Sequence, residues 1–231
     1  MKILGIDTSG SWASAAVCED DRILAETSFA TKLTHSQVIL PLAKQVLSYA
    51  NLTLADMDAF ACAAGPGSYT GLRIGISAVK AISYGLGNKP CSGVSVLEAL
   101  AFSSVTSGGY VCAVMKARAD LVYCAFFDCS DRKFPVRLTD DAVITIKEAA
   151  EKAAAYQPLS AVGDSSAALC EMLGTCAFSA PSYLSCNLAP SVCFCAQHHE
   201  LTSPDELLPL YLQITKAEKD LKEHKLTTPD F

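Results

Sequence analysis

Apolar positions near the start of the chain alternate with small and polar ones in three short stretches, and the period then changes. Residues 2–7, 13–18 and 22–29 read as strands. The small-residue turn at 8–11 and the acidic turn Glu19 Asp20 Asp21 separate them and make a meander. In 36–50, Val38, Ile39, Leu42, Val46, Leu47 and Tyr49 fall at helical spacing, with Thr34 or Ser36 as cap and Asn51 as stop. Pro41 is placed near the first turn, where proline is tolerated. A strand at 58–64 runs into a glycine-dense turn, followed by a helix over 72–86, a strand at 91–94 and a helix at about 96–104. Beyond Thr106 Ser107 Gly108 Gly109, the runs 110–115 and 121–128 predict a hairpin. A helix near 147–156, a strand near 160–162 and helices near 165–173 and 191–200 follow it. A meander and then alternating helices and strands, complete once and then shortened, predict an α/β protein of two related lobes, 1–106 and a smaller 107–231. The Lys/Glu mixture at 216–225 reads as a solvated helix.

Composition adds an expectation of a partner. Hydrophobic residues make up 51% of the 231 and mean hydropathy is +0.28, yet no apolar run reaches the roughly 18 residues of a membrane helix. The surplus predicts a subunit that buries a face against another protein; an Ala- and Cys-rich core that needs no partner is the alternative. The opening MKILGID has no leader pattern, so a cytoplasmic protein without membrane contact is expected. Eleven cysteines, scattered without a CxxC pair, predict buried thiols rather than disulfides. A net charge of −6 argues against the chain gripping a polyanion alone, because nucleic-acid affinity comes largely from Lys and Arg neutralising phosphates.

The densest candidate chemistry is Gly65 Pro66 Gly67 Ser68 Tyr69 Thr70 Gly71 Leu72 Arg73 Ile74 Gly75. Strand, glycine turn and helix can present backbone N–H groups to an anion, or the glycines can serve tight packing. No GK[ST] follows, so this is not a P-loop, and the next strand runs into Ser95 rather than the acid of a dinucleotide fold. GPGSYTG is not a GxSxG nucleophile elbow. Cys193, Cys195, His198 and His199 crowd four donors into seven residues, too tightly to converge on one tetrahedral ion. His35 has no second His or Cys near it and reads as a surface or capping residue.

Three separated segments carry a family resemblance: GIDTS at 5–9, DAFACAAGPGSYTGLRIGISAVKAIS at 58–83 and GVSVLEALA at 93–101. In this order they resemble the bacterial TsaB (YeaZ) family of the actin, Hsp70 and sugar-kinase (ASKHA) superfamily, with thinner similarity at 118–123 and 209–212. The resemblance implies a two-lobed actin-like fold. It also implies an accessory, non-catalytic subunit that works with the paralogue TsaD and the ATPase TsaE. Together these move threonylcarbamoyl from its adenylate to N6 of the adenosine beside the tRNA anticodon, with tRNA met only through the complex and ATP and metal used by the partner subunits.

In the catalytic paralogue a segment resembling GVNHLEAH places two metal-binding His residues four apart on one helical face; here those positions are Val96 and Leu100, which cannot donate an electron pair. The resemblance also marks Asp7, Thr8, Ser9 and Gly10 as a first phosphate loop, Lys116 as the residue standing where many relatives carry Asp, and Gly163 Asp164 as an adenosine-side element. Gly71, Gly75, Ala78 and Ile82 share a helical face, and Leu42, Val46 and Tyr49 supply knobs beside it. This surface is expected to pair with TsaD, or with a second copy when the chain is alone. The alternative is that the small residues seat the helix on its own sheet. At the level of function, the alternative is an ATP-dependent phosphotransferase of the same superfamily acting on a small acid or sugar.

Overall fold

The computed structural model describes residues 1–30, 33–186 and 188–212. The expected helix at 216–225 lies outside the described residues. The meander forms β1 (Lys2–Asp7), β2 (Trp12–Glu19) and β3 (Arg22–Ala30), all antiparallel. Helix α1 (His35–Tyr49) follows, with Thr34 and Gln37 in a capping box. Pro41 is its seventh residue, a full turn deeper than expected, and its ring faces solvent. Strand β4 (Ala59–Gly65) pairs parallel to β1 and leads into α2 (Tyr69–Gly85), and β5 (Cys91–Ser95) pairs parallel to β4. The sheet order is β3-β2-β1-β4-β5. Helix α2 starts three residues earlier than the apolar period suggested because the Ser68 hydroxyl caps it, accepting from Gly71 N–H at 3.2 Å. Ser95 does the same for α3 (Val96–Ser103).

The second sheet is built from β6 (Tyr110–Arg118), β7 (Leu121–Asp128), β8 (Val136–Arg137), β9 (Ala142–Thr145), β10 (Leu159–Val162) and β11 (Ala177–Ser179). Its order is β11-β10-β6-β7-β8, with β9 also on β7. Helices α4 (Ile146–Ala153) and α5 (Ser166–Leu173) cover its outer face. The strands the sequence did not reveal are β8, β9 and β11, of two, four and three residues.

Alternation within the strands sorts the side chains into three cores. On β1, Leu4 and Ile6 point toward α1 and α2, while Ile3 points to the middle of the molecule. On β6, Cys112 and Val114 point outward and Val111 and Ala113 inward. The middle core, shared by both sheets, holds α3 and α6 (Ala189–Ala196). The layers are therefore α1/α2, first sheet, α3/α6, second sheet, α4/α5.

The division at 106 needs correcting in one respect. Residues from α6 onward, expected in the second lobe, return to the first sheet. A Cβ at Gly5 would stand 2.5 Å from Cys193 Sγ and 2.7 Å from Ala189 O, so only glycine on β1 lets α6 lie this close. Cys91 and Thr202 then form a backbone bridge, Leu207 enters the outer core of the first sheet, and Leu210 N–H donates to Ala64 O at 2.7 Å.

Candidate functional site

At the carboxyl ends of β1 and β6 the two lobes enclose a cleft of 210 Å3. Asp7, Ser9, Gly10 and Trp12 line it from the first lobe, and Met115, Gly163 and Asp164 from the second. Asp7 is buried, and its Oδ1 accepts from Ser9 N–H at 2.8 Å. Burial pushes its carboxyl above the ordinary value, against the bonds from Ser9 and the field of His35, which favour the charged form. Asp164 Oδ1 accepts from Lys116 N–H at 2.6 Å. The structure thus brings the first loop and the Gly163 Asp164 element together, but two of the expected nucleotide-site residues do not join them. Thr8 turns away from the cleft, its hydroxyl donating to Gly71 O at 2.7 Å. Lys116 is exposed and outside the lining, because its backbone, not its ammonium, is what Asp164 holds.

Val96 and Leu100 are both buried in the middle core among other apolar side chains, and Leu100 reaches the floor of the cleft. Among the described residues no group of three or more His, Cys, Asp or Glu is placed to hold a metal ion. The CxCxxHH stretch diverges. Cys193 packs between β1 and β2, Cys195 is buried, His198 stacks on Phe134, and His199 Nε2 lies 3.1 Å from Glu98 Oε1.

That last contact belongs to a polar cluster the sequence reading missed. Arg137 reaches Glu98 at 3.9 Å and pairs with Asp141, which accepts from Ser95 Oγ at 2.6 Å. The signal available was Glu98 itself, a lone acid in the apolar helix VLEALA and therefore a buried charge in need of partners. Its partners come from 39 to 101 residues away, beyond any local pattern.

The third feature is the outer face of α1 and α2. Here the expected partner surface is corrected. Leu42 and Val46 are buried in the outer core, and Gly71 and Gly75 face inward onto Thr8. A Cβ at Gly71 would overlap Thr8 O, and one at Gly75 would stand 2.6 Å from Thr8 Oγ1, so these glycines seat the helix on its own lobe. Tyr49, Ala78 and Ile82 remain toward the outside, Tyr49 67% exposed. Residues the reading passed over complete the face: Leu40, 52% exposed, and Tyr69, Arg73 and Ile74. Leu40 is the common wall of two grooves along the α1/α2 seam. One, of 550 Å3, is floored by Ile74 and Ala78; the other, of 500 Å3, by Leu47, Leu52 and Ile82. On the far side of α2 the segment after α6 runs antiparallel to the helix. Tyr84 donates to Asp205, and farther along the Tyr211 ring stacks on Tyr69 at 4.9 Å while its oxygen accepts from Arg73 Nε at 2.8 Å.

Two facing sheets, helices between and outside them, and a cleft at the carboxyl ends of β1 and β6 define an α/β protein of the actin, Hsp70 and sugar-kinase class. The solved structure of YeaZ from Pseudomonas aeruginosa superposes with a TM-score of 0.74 at 24% identity, over 91% of this chain and 99% of that one. A ROK hexokinase from Thermus thermophilus superposes at 0.51 with 10% identity, over 83% of this chain and 98% of that one. The family model described as TsaD: tRNA N6-adenosine threonylcarbamoyltransferase matches residues 23–219. In sequence, the chain is 34% identical over 127 residues to the tRNA threonylcarbamoyladenosine biosynthesis protein TsaB of Bacillus subtilis, 55% of each. It is 35% identical over 127 residues to TsaB of Escherichia coli, 54% of each. The match spans about half the length of these curated relatives. The chain belongs to this family and, within it, to the TsaB/YeaZ group.

Proposed function

We propose that the chain serves tRNA threonylcarbamoyladenosine synthesis as an accessory, non-catalytic subunit. It docks through the outer face of α1 and α2 on a TsaD-like transferase that works with a TsaE-like ATPase. The transferase moves threonylcarbamoyl from its adenylate to N6 of the adenosine beside the tRNA anticodon. Cytoplasmic placement, tRNA contact only through the complex, and ATP and metal held by the partner subunits belong to the same reading. Alone, the chain pairs with a second copy through the same face, since a protein built on one plan offers the same helix pair.

The observation that carries the accessory role is the burial of Val96 and Leu100 as apolar core, where metal donors would have to stand. The two grooves flanking an exposed Leu40 support a docked protein, since contiguous exposed apolar surface marks interaction sites. The test is product formation on tRNA in a mixture of cognate transferase, ATPase, ATP and threonylcarbamoyl adenylate, with and without this chain. Product that depends on the chain is expected. Equal product in both mixtures rejects the accessory role and returns the phosphotransferase alternative.

A further inference from the structure

A second cleft, of 560 Å3, is lined by β5, the loop between β8 and β9, and the segment after α6. Its deepest charge is already matched. Asp141, with 6% of its side chain exposed, accepts from Ser95 Oγ at 2.6 Å and pairs with Arg137. The Arg137 guanidinium also reaches Glu98 at 3.9 Å and lies 4.8 Å over the Phe127 ring, so its charge is spent inside the protein. The acids farther out are not matched in this way. Asp140, Glu200 and Glu206 are all exposed and line the same cleft. Glu206 accepts from Ser203 N–H at 3.1 Å, but Asp140 and Glu200 have no hydrogen-bond or ion-pair partner among the described residues. Like charges gathered without a cation repel one another and cost the free protein stability. The cleft also holds a wall of leucines: Leu208 is 67% and Leu210 41% exposed, and Leu212 lines it with them. Tyr211, between the last two, instead stacks on Tyr69 of α2, so the segment that carries these leucines separates the cleft from the α1/α2 face.

We infer that this cleft is a second docking surface, built for a segment of a partner protein that presents Lys or Arg side chains next to apolar ones. The apolar side chains of the segment lie on Leu208 and Leu210. Its cations meet Asp140 and Glu200, where they relieve the repulsion that the free chain leaves uncompensated. Nucleic acid does not suit the site, because its phosphates would meet carboxylates. A small organic cation such as a polyamine would use the acids but leave the leucines uncovered, and it is this leucine wall that favours a protein segment. The cleft and the α1/α2 face lie on either side of the segment that carries Tyr211, so both can be filled at once, and the inference does not depend on what docks on the helices.

The experiment is calorimetry on the full-length chain with a short peptide of lysines and leucines, between about 50 and about 500 mM NaCl, and with an equally long peptide of glutamates and leucines. The lysine peptide is expected to bind and to lose about tenfold in affinity as salt rises, and the glutamate peptide not to bind. Asp140→Lys and Glu200→Lys, both at exposed positions, should each weaken the lysine peptide by more than about tenfold and flatten its salt dependence. Leu208→Asn should weaken it about fivefold and leave the salt dependence in place. Calorimetry of the same variants with the cognate transferase should match the parent chain. Equal binding of the two peptides, no binding of either, or lysine-peptide binding that ignores both charge reversals overturns the inference. Binding that Leu40→Asp abolishes and the charge reversals spare moves the peptide to the α1/α2 seam and overturns it as well. Spermidine that displaces the peptide and binds Leu208→Asn as tightly as the parent reassigns the cleft to a small cation. Loss of transferase binding in the charge-reversed variants makes the cleft part of the transferase's own footprint and overturns a separate surface.

Discussion

Thr8 is where the first lobe is tightest. Its carbonyl and hydroxyl fill the space that a side chain on Gly71 or Gly75 would need. In an ordinary helix Gly→Ala stabilises by up to about 1 kcal/mol. Gly71→Ala should do the opposite and destabilise by about 1–3 kcal/mol, because the new methyl overpacks against backbone that cannot yield; urea unfolding followed by circular dichroism gives the sign. Asp7 makes a second residue-scale prediction. Its folded-state pKa is raised by burial, so the fold favours the protonated acid. The stability this group contributes is complete below the ordinary carboxylate range and is lost as pH rises through the raised value. Asp7→Asn keeps an acceptor for Ser9 N–H without the charge. It should therefore melt higher than the parent at pH 7 to 8, with the gain shrinking as pH falls toward 4. A gain that stays constant across that range would remove Asp7 from the account.

Among elements, the helix pair carries the most consequence. Leu40→Asp puts a charge between the two grooves on a half-exposed side chain, so the melting temperature should hardly move. Association with the transferase should weaken by more than about tenfold in the same binding experiment. Unchanged binding would remove the seam from the interface. The strands of the meander, both outer helices and the β6–β7 hairpin were legible in the sequence because each runs long enough for period 2 or 3.6 to show. Strand β8, with two residues, was not. The partner face was only half legible. Helical spacing finds a stripe but does not say whether the stripe faces in or out, and on α2 the small-residue stripe begins against Thr8 and ends in the α1 groove. Leu40 was the available sign, an apolar residue that α1's buried stripe leaves over. Arg73 and Tyr211, 138 residues apart, meet only in the folded chain.

For the whole molecule, the middle core joins residues of both sheets with α3 and α6, so the two lobes share an interior in addition to the outer core that each sheet forms with its own helices. The fragment 1–106 lacks α6 and the second sheet. It should show no cooperative thermal transition, whereas the full chain melts with one; calorimetry on the two decides this. Periodicity revealed the lobes but not this sharing, because the return of α6 to β1 depends on Gly5 admitting Cys193, a contact spanning nearly the whole described chain.

That return sets the order of events on the ribosome. Strand β5 is complete at Ser95, but α6 begins only at Ala189. At about 5–20 residues per second, the inner face of the first sheet waits roughly 5–20 s for its cover. Through that interval Ile3, Ala16, Ala59 and Ala61 remain without it. The nascent chain is therefore a client for whatever shields apolar surface during translation, and codon choices that slow synthesis between β5 and α6 lengthen its exposure.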